Sequence, residues 1–478
     1  VTAGSLELHP DRLLPAEPTT RTVARRLYER VRDLPIVSPH GHCNPVWWAQ
    51  DRPFADPAAL LVTPDHYLTR MLHSQGIPLD RLGVASADGG PVAEPREVWR
   101  TFASHYDLFR GTPSRLWLDH ALSEVLEVPV PLSAATADET YDHIIDRLAR
   151  PEYRPRALFD RFGIDFLATT ESPLDDLAHH RAIRASGWTG RVVTAFRPDP
   201  VVDPDRVDFG DDLDRLGELT GSDTDTWSGY LDALRARRAH FIEHGATSTD
   251  HGHPTATTAD LDAGAAARLF ERVRAGRHDG SDAELFRGQM LTEMVRMSFD
   301  DGLVVQLHPG VRRDHNRAVR ARFGPDVGAD IPIRTDFVGG LAPLLDRFGN
   351  EPDLTMVLFT VDESTYSREL APLAGHYPLL RLGAPWWFHD SPEGMRRFRR
   401  RVTETAGFAN TVGFTDDTRA FLSIPARHDV ARRIDCGFLA ELVVEHLLGE
   451  DEAAEVAVDL AHRLARAAYQ VDEAPRAP

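Results

Sequence analysis

No lysine occurs anywhere in the 478 residues, so all 54 side chains counted as Lys+Arg are arginine. That absence removes chemistry that needs a primary amine. A phosphate-gripping loop would lack the lysine that reaches the phosphates, and the kinase pattern would lack its strand lysine. A Schiff-base nucleophile is missing too, and no lysine carbamate can bridge two metals. Cysteine is nearly as scarce. Cys43 and Cys436 are too few for a disulfide scaffold and form no Cys-x-x-Cys pair, which fits a reducing compartment. No apolar run approaches the ~18–20 residues of a membrane span, and the chain opens on no charged-then-apolar leader. We expect a cytoplasmic protein. The net charge of −20 leaves little basic surface for nucleic acid or an anionic membrane. A small anionic substrate stays compatible, because a few local arginines override the global field.

What is present is a recurring pattern. Short apolar, β-rich runs fall at 34–40, 163–169, 191–197, 240–247, 302–308, 354–361, 378–384 and 408–415, and most end in polar or charged residues. Helical periodicity lies between them, as in Leu285, Phe286, Met290, Met294 and Met297. Eight strands alternating with helices predict an α/β fold, a (β/α)8 TIM barrel formed as a single domain over 1–478. The run at 240–247 is the one that also reads as a continuation of the preceding helix. Residues 46–160 break the alternation: they are Pro-rich, carry Trp47, Trp48, Trp99 and Trp117, and predict a mainly helical insertion over the barrel mouth. The segment 246–262 reads as a polar loop, and 472–478 as disordered.

A barrel of this kind keeps its active site at the C-terminal strand ends, and reactive groups cluster there. The first run ends His40-Gly41-His42, and residues two apart on a strand share a side, so both imidazoles can meet one metal. The second ends Thr169-Thr170-Glu171, the third Arg197-Pro198-Asp199, and the fourth leads to Asp250-His251. Gln306 and His308 end the fifth, Asp362 and Glu363 follow the sixth, and Trp386-Trp387 the seventh. Asp416-Asp417 and Arg419 close the eighth. Asp250-His251 would line the pocket or cap a helix, two readings the residues leave open. His179-His180 reads as surface and Asp416 as solvated.

His-x-His on the first strand with Asp on the eighth resembles the metal-dependent amidohydrolase superfamily. Its two-metal members use a carbamylated lysine and a histidine on the sixth strand. This chain has no lysine and offers Asp362 at the sixth, which points to one metal. The resemblance narrows to the uronate (glucuronate) isomerases over His40 to Arg433. It rests on Asp65-His66-Tyr67, on Thr169-Thr170-Glu171-Ser172-Pro173-Leu174-Asp175, on Arg197-Pro198-Asp199 and on Asp250-His251. It continues through His308-Pro309-Gly310 with Arg313 and Asn316, and through Gly324-Pro325-Asp326-Val327-Gly328. Trp386-Trp387-Phe388, Asp417-Thr418-Arg419-Ala420-Phe421-Leu422-Ser423, Arg427-His428 and Arg432-Arg433 complete it. Ser38 stands where the family often has Asp, and one extra residue precedes Arg427-His428, so the chain resembles a divergent branch.

The resemblance implies an aldose–ketose isomerase acting on a hexuronic acid, D-glucuronate or D-galacturonate, to give fructuronate or tagaturonate. That reaction moves a proton from C2 to C1 through an enediol, or a hydride along the same path, and needs a base, a shuttle for hydroxyl protons and stabilisation of oxygen charge. By the same resemblance, His40, His42 and Asp417 hold one divalent metal, zinc, with His308 as a further ligand or a hydrogen-bond partner. Asp417 doubles as proton carrier, and Tyr67 and His66 act as acid and shuttle. Arg197 and Arg419 bind the substrate carboxylate, which a planar guanidinium grips in bidentate fashion, or orient Asp417. Trp386 walls the pocket. A homo-oligomer is a further expectation. The alternative is a mononuclear hydrolase of the same superfamily, a deaminase or deacetylase, which would use its metal to make hydroxide. A barrel that binds sugar acids without turning them over is the third reading.

Overall fold

In the computed structural model, which describes residues 6–472, seven parallel strands curl around a common interior. They are β1 (Ile36–Ser38), β2 (Ile164–Glu171), β3 (Val192–Phe196), β4 (Ser248–His251), β5 (Val304–Leu307), β6 (Met356–Leu358) and β7 (Leu380–Leu382). Each pairs in parallel with its neighbour in sequence. The expected eighth strand is not a strand but a single bridge between Leu382 and Thr411. The chain beyond it still closes the ring, because the His42 amide donates to the Thr418 carbonyl at 3.0 Å. A TIM-barrel-like α/β fold results. The eighth stave lacks a ladder because Gly413, in the left-handed region at φ 72°, and Asp417 at φ 41° bend it out of extended geometry.

Period-2 alternation sorts each strand into two faces. Val37, Phe166, Ala168, Val304, Val357 and Val412 meet inside the barrel. The floor is sealed by the C-terminal residues Ala465, Tyr469 and Val471, and the Tyr469 hydroxyl donates to Oε1 of Gln306 at 2.7 Å. Outward-facing side chains such as Leu167 and Val192 join the apolar cluster of the segment between β1 and β2. That segment holds no strand among the described residues; it is a series of short helices, and its Trp48, Trp99 and Phe102 are fully buried.

The run at 240–247 is not a strand. Leu234, Arg238, Phe241 and Ile242 form the buried face of the helix Trp227–Glu243, and Gly245 turns the chain out of it. The strand itself, β4, lies in the segment that reads as a loop. It is Ser-Thr-Asp-His, too polar to show alternation, and its polar atoms pair internally: Gln306 donates to Ser248 Oγ at 3.2 Å, and Thr249 meets His251 at 3.0 Å. Two further expectations are corrected. His180 is buried, with Nε2 2.9 Å from Thr169 Oγ1, because its helix Ala178–Ala185 packs that face onto β2, while His179 stays exposed. Asp416 is buried too, and Oδ2 accepts from His428 Nε2 at 3.0 Å. Beyond Asp472, the expectation of disorder at the C-terminus lies outside the described residues. No helix among them is long and apolar enough to cross a membrane.

Candidate active site at the strand ends

The C-terminal strand ends open into a cavity of about 780 Å³. His40 and His42 follow β1, and their Nε2 atoms lie 3.3 and 3.2 Å from Oδ1 of Asp417 on the closing segment. His308, just past β5, stacks on His40 with ring centroids 4.5 Å apart, and on Phe359 at 4.1 Å. Asp250, the penultimate residue of β4, lies between His308 and Arg197. Its Oδ1 lies 2.9 Å from His308 Nδ1, and its Oδ2 accepts from Arg197 Nη1 at 3.1 Å.

Asp417 adopts a left-handed backbone, φ 41°, that few residues with a side chain accept. The surroundings fix it. The Asp416 carbonyl accepts from Arg427 Nη1 at 3.3 Å, the Asp416 carboxylate accepts from His428, and the Thr418 carbonyl accepts from the His42 amide. The carboxylate therefore points at the two histidines without freedom to turn away.

Electrostatics follows from burial and from these contacts. Burial alone would raise the Asp417 and Asp250 carboxyls. The His40 and His42 rings instead hold Asp417 well below the usual range, and Arg197 and His308 do the same for Asp250. Burial works against a charged His40, but Asp417 and Asp250 outweigh it and raise its pKa. For His42 and His308 burial wins, and their pKa values fall.

The donors suit a divalent cation. One ligand atom each from His40, His42 and Asp250 lies within 4.8 Å of the others, and the same holds for His40, His308 and Asp417. Nδ1 of His40, both ring nitrogens of His308 and Oδ1 of Asp250 are buried without hydrogen-bond partners. Buried polar atoms are otherwise almost always paired, so convergent unpaired imidazoles and carboxylates are the arrangement that cation ligands adopt. His251 is not in either group. Its Nε2 turns to Thr249, and burial lowers its pKa to about 3.

The rest of the cavity comes from other elements. Asp65 caps the helix His66–Ser74 by accepting from the Tyr67 amide at 2.8 Å, which sets His66 and Tyr67 at the cavity wall. Arg419 Nη1 lies 3.3 Å from His66 Nε2, and its Nη2 donates to Asp326 at 2.6 Å. Burial first, and Arg419 second, lower the His66 pKa to about 4, which keeps it neutral near pH 7. Arg197 donates from Nε to Asp199 at 2.8 Å. A Cβ on Gly252 would sit 2.5 Å from Arg197 Nη2 and 2.7 Å from Asp199 Oδ2, so only glycine leaves that pair its place. Trp386 packs edge-on against His308 at 4.7 Å, and Trp387 lies beside His66.

All nine side chains given a catalytic, metal or binding role from the sequence, from His40 to Arg419, line this one cavity. Gln306 sits below it, and Asp362 and Glu363 turn away, the first capping Ser364 and the second pairing with Arg397. Asp326, which lies in the motif Gly324-Pro325-Asp326-Val327-Gly328, also lines the cavity, as does Asp390, which carries no strong sequence signal. Asp390 follows the Trp386-Trp387 pair at the end of β7, and the strand-end rule applied one turn further would have reached it.

The glucuronate isomerase family model matches residues 18–469. A uronate isomerase of Rhizorhabdus wittichii is 67% identical over 471 residues, covering 98% of this chain and 100% of that one. The crystal structure of glucuronate isomerase from Caulobacter crescentus superposes with a TM-score of 0.97 at 57% identity, covering 99% of this chain and 98% of that one. The uronate isomerase structure from Thermotoga maritima gives a TM-score of 0.90 at 27% identity, covering 97% and 99%.

Proposed function

Because the chain belongs to the glucuronate isomerase family, we propose that it interconverts a hexuronate aldose, D-glucuronate or D-galacturonate, with its 2-keto isomer, fructuronate or tagaturonate. It is an isomerase, and the full-length likeness to uronate isomerases favours this over the hydrolase reading. The observation that carries the reading is the convergence of His40, His42 and Asp417 beside Arg197 and Arg419 in one cavity.

His40, His42 and Asp417 hold one divalent metal, zinc, with His308 as a further ligand or hydrogen-bond partner. When bound, such a cation stabilises negative charge on the carbonyl and hydroxyl oxygens of the sugar. The remaining chemistry belongs to side chains. Asp417 takes the proton from C2 and returns it to C1, and its fixed backbone keeps the carboxylate aimed through both transfers. His66, neutral near pH 7, passes hydroxyl protons between the sugar oxygens, and Tyr67 meets the same oxygens. Arg419, half-exposed and held by Asp326 and His66, exchanges that pairing for the C6 carboxylate. Arg197 is braced by Asp199 and Asp250 and orients the acidic groups around the carboxylate. Trp386 and Trp387 wall off water.

Cytoplasmic location and assembly into a homo-oligomer belong to the same reading, and light scattering of the purified protein tests the second. The activity itself is tested by incubating the metal-loaded protein with D-glucuronate or D-galacturonate and following the ketose by NMR. Ketose is expected from at least one. None from either, with ammonia or acetate released from an amide substrate instead, would favour the hydrolase.

A further inference from the structure

The layer of the barrel beneath the candidate cation donors is tied to the last turn of the chain. Ser248 lies two residues below Asp250 on β4, and Gln306 two residues below His308 on β5, so each pair shares a face. Asp250 and Gln306 stand opposite each other in the β4–β5 register. Gln306 is fully buried, and its Nε2 donates to Ser248 Oγ at 3.2 Å and to the Thr249 carbonyl at 3.3 Å. Its Oε1 accepts from the Tyr469 hydroxyl at 2.7 Å.

Tyr469 follows the helix Leu464–Ala468 and is itself fully buried, in one apolar cluster with Val37, Phe166, Val304 and Val357. Strand residues pin this end of the chain from outside. Arg191 donates to the Val471 carbonyl at 2.5 Å, and Arg466 pairs with Asp165 of β2. Burial first, and the charges of Asp250 and Asp417 after it, hold the Tyr469 pKa well above normal, so the phenol keeps its proton. A protonated phenol aimed at a primary amide fixes which way the amide lies. The amide oxygen meets the hydroxyl, and the NH2 group faces β4. The reverse orientation would set that oxygen against the Thr249 carbonyl.

We propose that Tyr469 is a positioning residue for the cation donors: through Gln306 it clamps β4 to β5 one layer below Asp250 and His308, and so fixes the spacing of those two side chains. Oδ1 of Asp250 and both ring nitrogens of His308 have no hydrogen-bond partner, so hydrogen bonds at those atoms do not set that spacing. The inference rests on the cation reading of the site, and not on which sugar is turned over.

The test uses the full chain with Tyr469→Phe, Gln306→Leu and their double variant. Val471→Ala is the control, because it trims the same apolar floor without touching the hydroxyl. Zinc affinity is read by competition with a chromophoric chelator. Tyr469→Phe is expected to weaken it about 3- to 10-fold, less than loss of a partner touching the ligand itself would. An unchanged affinity overturns the proposal. Val471→Ala should lower the melting temperature and leave zinc affinity unchanged; a loss as large as that of Tyr469→Phe would make the floor merely structural and overturns it too. The double variant should bind zinc no more weakly than Gln306→Leu, because Tyr469 acts through Gln306. Losses that multiply count against the clamp. If the wild type binds no divalent ion, the cation reading fails, and hydrogen exchange across residues 304–308 of the metal-free protein decides the clamp. Faster exchange in Tyr469→Phe than in Val471→Ala supports it, and equal rates overturn it.

Discussion

Nδ1 of His308 and Oδ1 of Asp250 lie 2.9 Å apart, both buried, without a hydrogen bond joining them. Buried polar atoms left unpaired at the mouth of a barrel are open to a ligand. The neighbouring His40, His42 and Asp417 add nitrogen and carboxylate donors of the kind that can hold a cation.

Metal content follows directly. Protein purified without chelator should carry about one equivalent of a divalent ion by elemental analysis. His40→Ala and Asp417→Ala should each reduce that content severely. Full occupancy in both variants would show that the cation, if present, is held elsewhere.

Asp417→Asn keeps the shape of the side chain but removes the base. Turnover should fall by about 10²- to 10⁴-fold, with circular dichroism and the melting temperature close to those of the wild type. Activity within a few-fold of wild type would assign the proton transfer to another group.

Proton transfer and hydride shift differ in where the hydrogen at C1 of the product comes from. In D2O the ketose should take up deuterium at C1, because a proton held by Asp417 exchanges with solvent. Ketose that retains only the substrate's own C2 hydrogen would establish the hydride route.

The two arginines should fail differently. Arg197→Met leaves the buried Asp250 without its guanidinium and should cost about 3 kcal/mol of stability. Arg419→Met breaks only a half-exposed pair with Asp326 and should cost under about 1 kcal/mol. The same change should raise KM for the hexuronate by about tenfold or more. A KM unchanged in Arg419→Met would take the substrate carboxylate away from that residue.

Glu171 and His180 should cancel in the pH dependence of stability. Burial raises the Glu171 carboxyl to about 7, against the lowering effect of hydrogen bonds from Thr194 and Thr169. Burial lowers His180 to about 4. Between about pH 4.5 and 6.5 the folded chain holds one proton more than the unfolded at Glu171, which lowers stability as pH rises. It holds one fewer at His180, which raises it. The wild-type contribution is therefore nearly flat. Glu171→Gln should expose a gain in stability with rising pH over that window, and His180→Asn a fall, each approaching roughly 3 kcal/mol in total. Parallel pH profiles for the two variants would contradict both shifts.

Much of this molecule could be read from its residues in order. Apolar alternation located β1, β2, β3, β5, β6 and β7, because strands that bury one face on helices and the other in a barrel must carry β-branched and aromatic side chains. Strand-end position then brought His40, His42, Arg197, His308, Trp386 and Asp417 together, since a closed parallel barrel puts all those ends on one rim. β4 escaped because Ser248–His251 has no apolar period: its side chains face polar neighbours that are distant in sequence.

Packing alone decided the rest. The burial of His180 depends on which face its helix lays on β2, and that of Asp416 on His428 arriving from the helix Ile424–Val444. The bond from Tyr67 to Asp390 joins residues 323 positions apart. Local sequence sets period, caps and strand ends because those arise from contacts a few residues long. The partner of a buried polar atom is chosen by where whole elements come to rest.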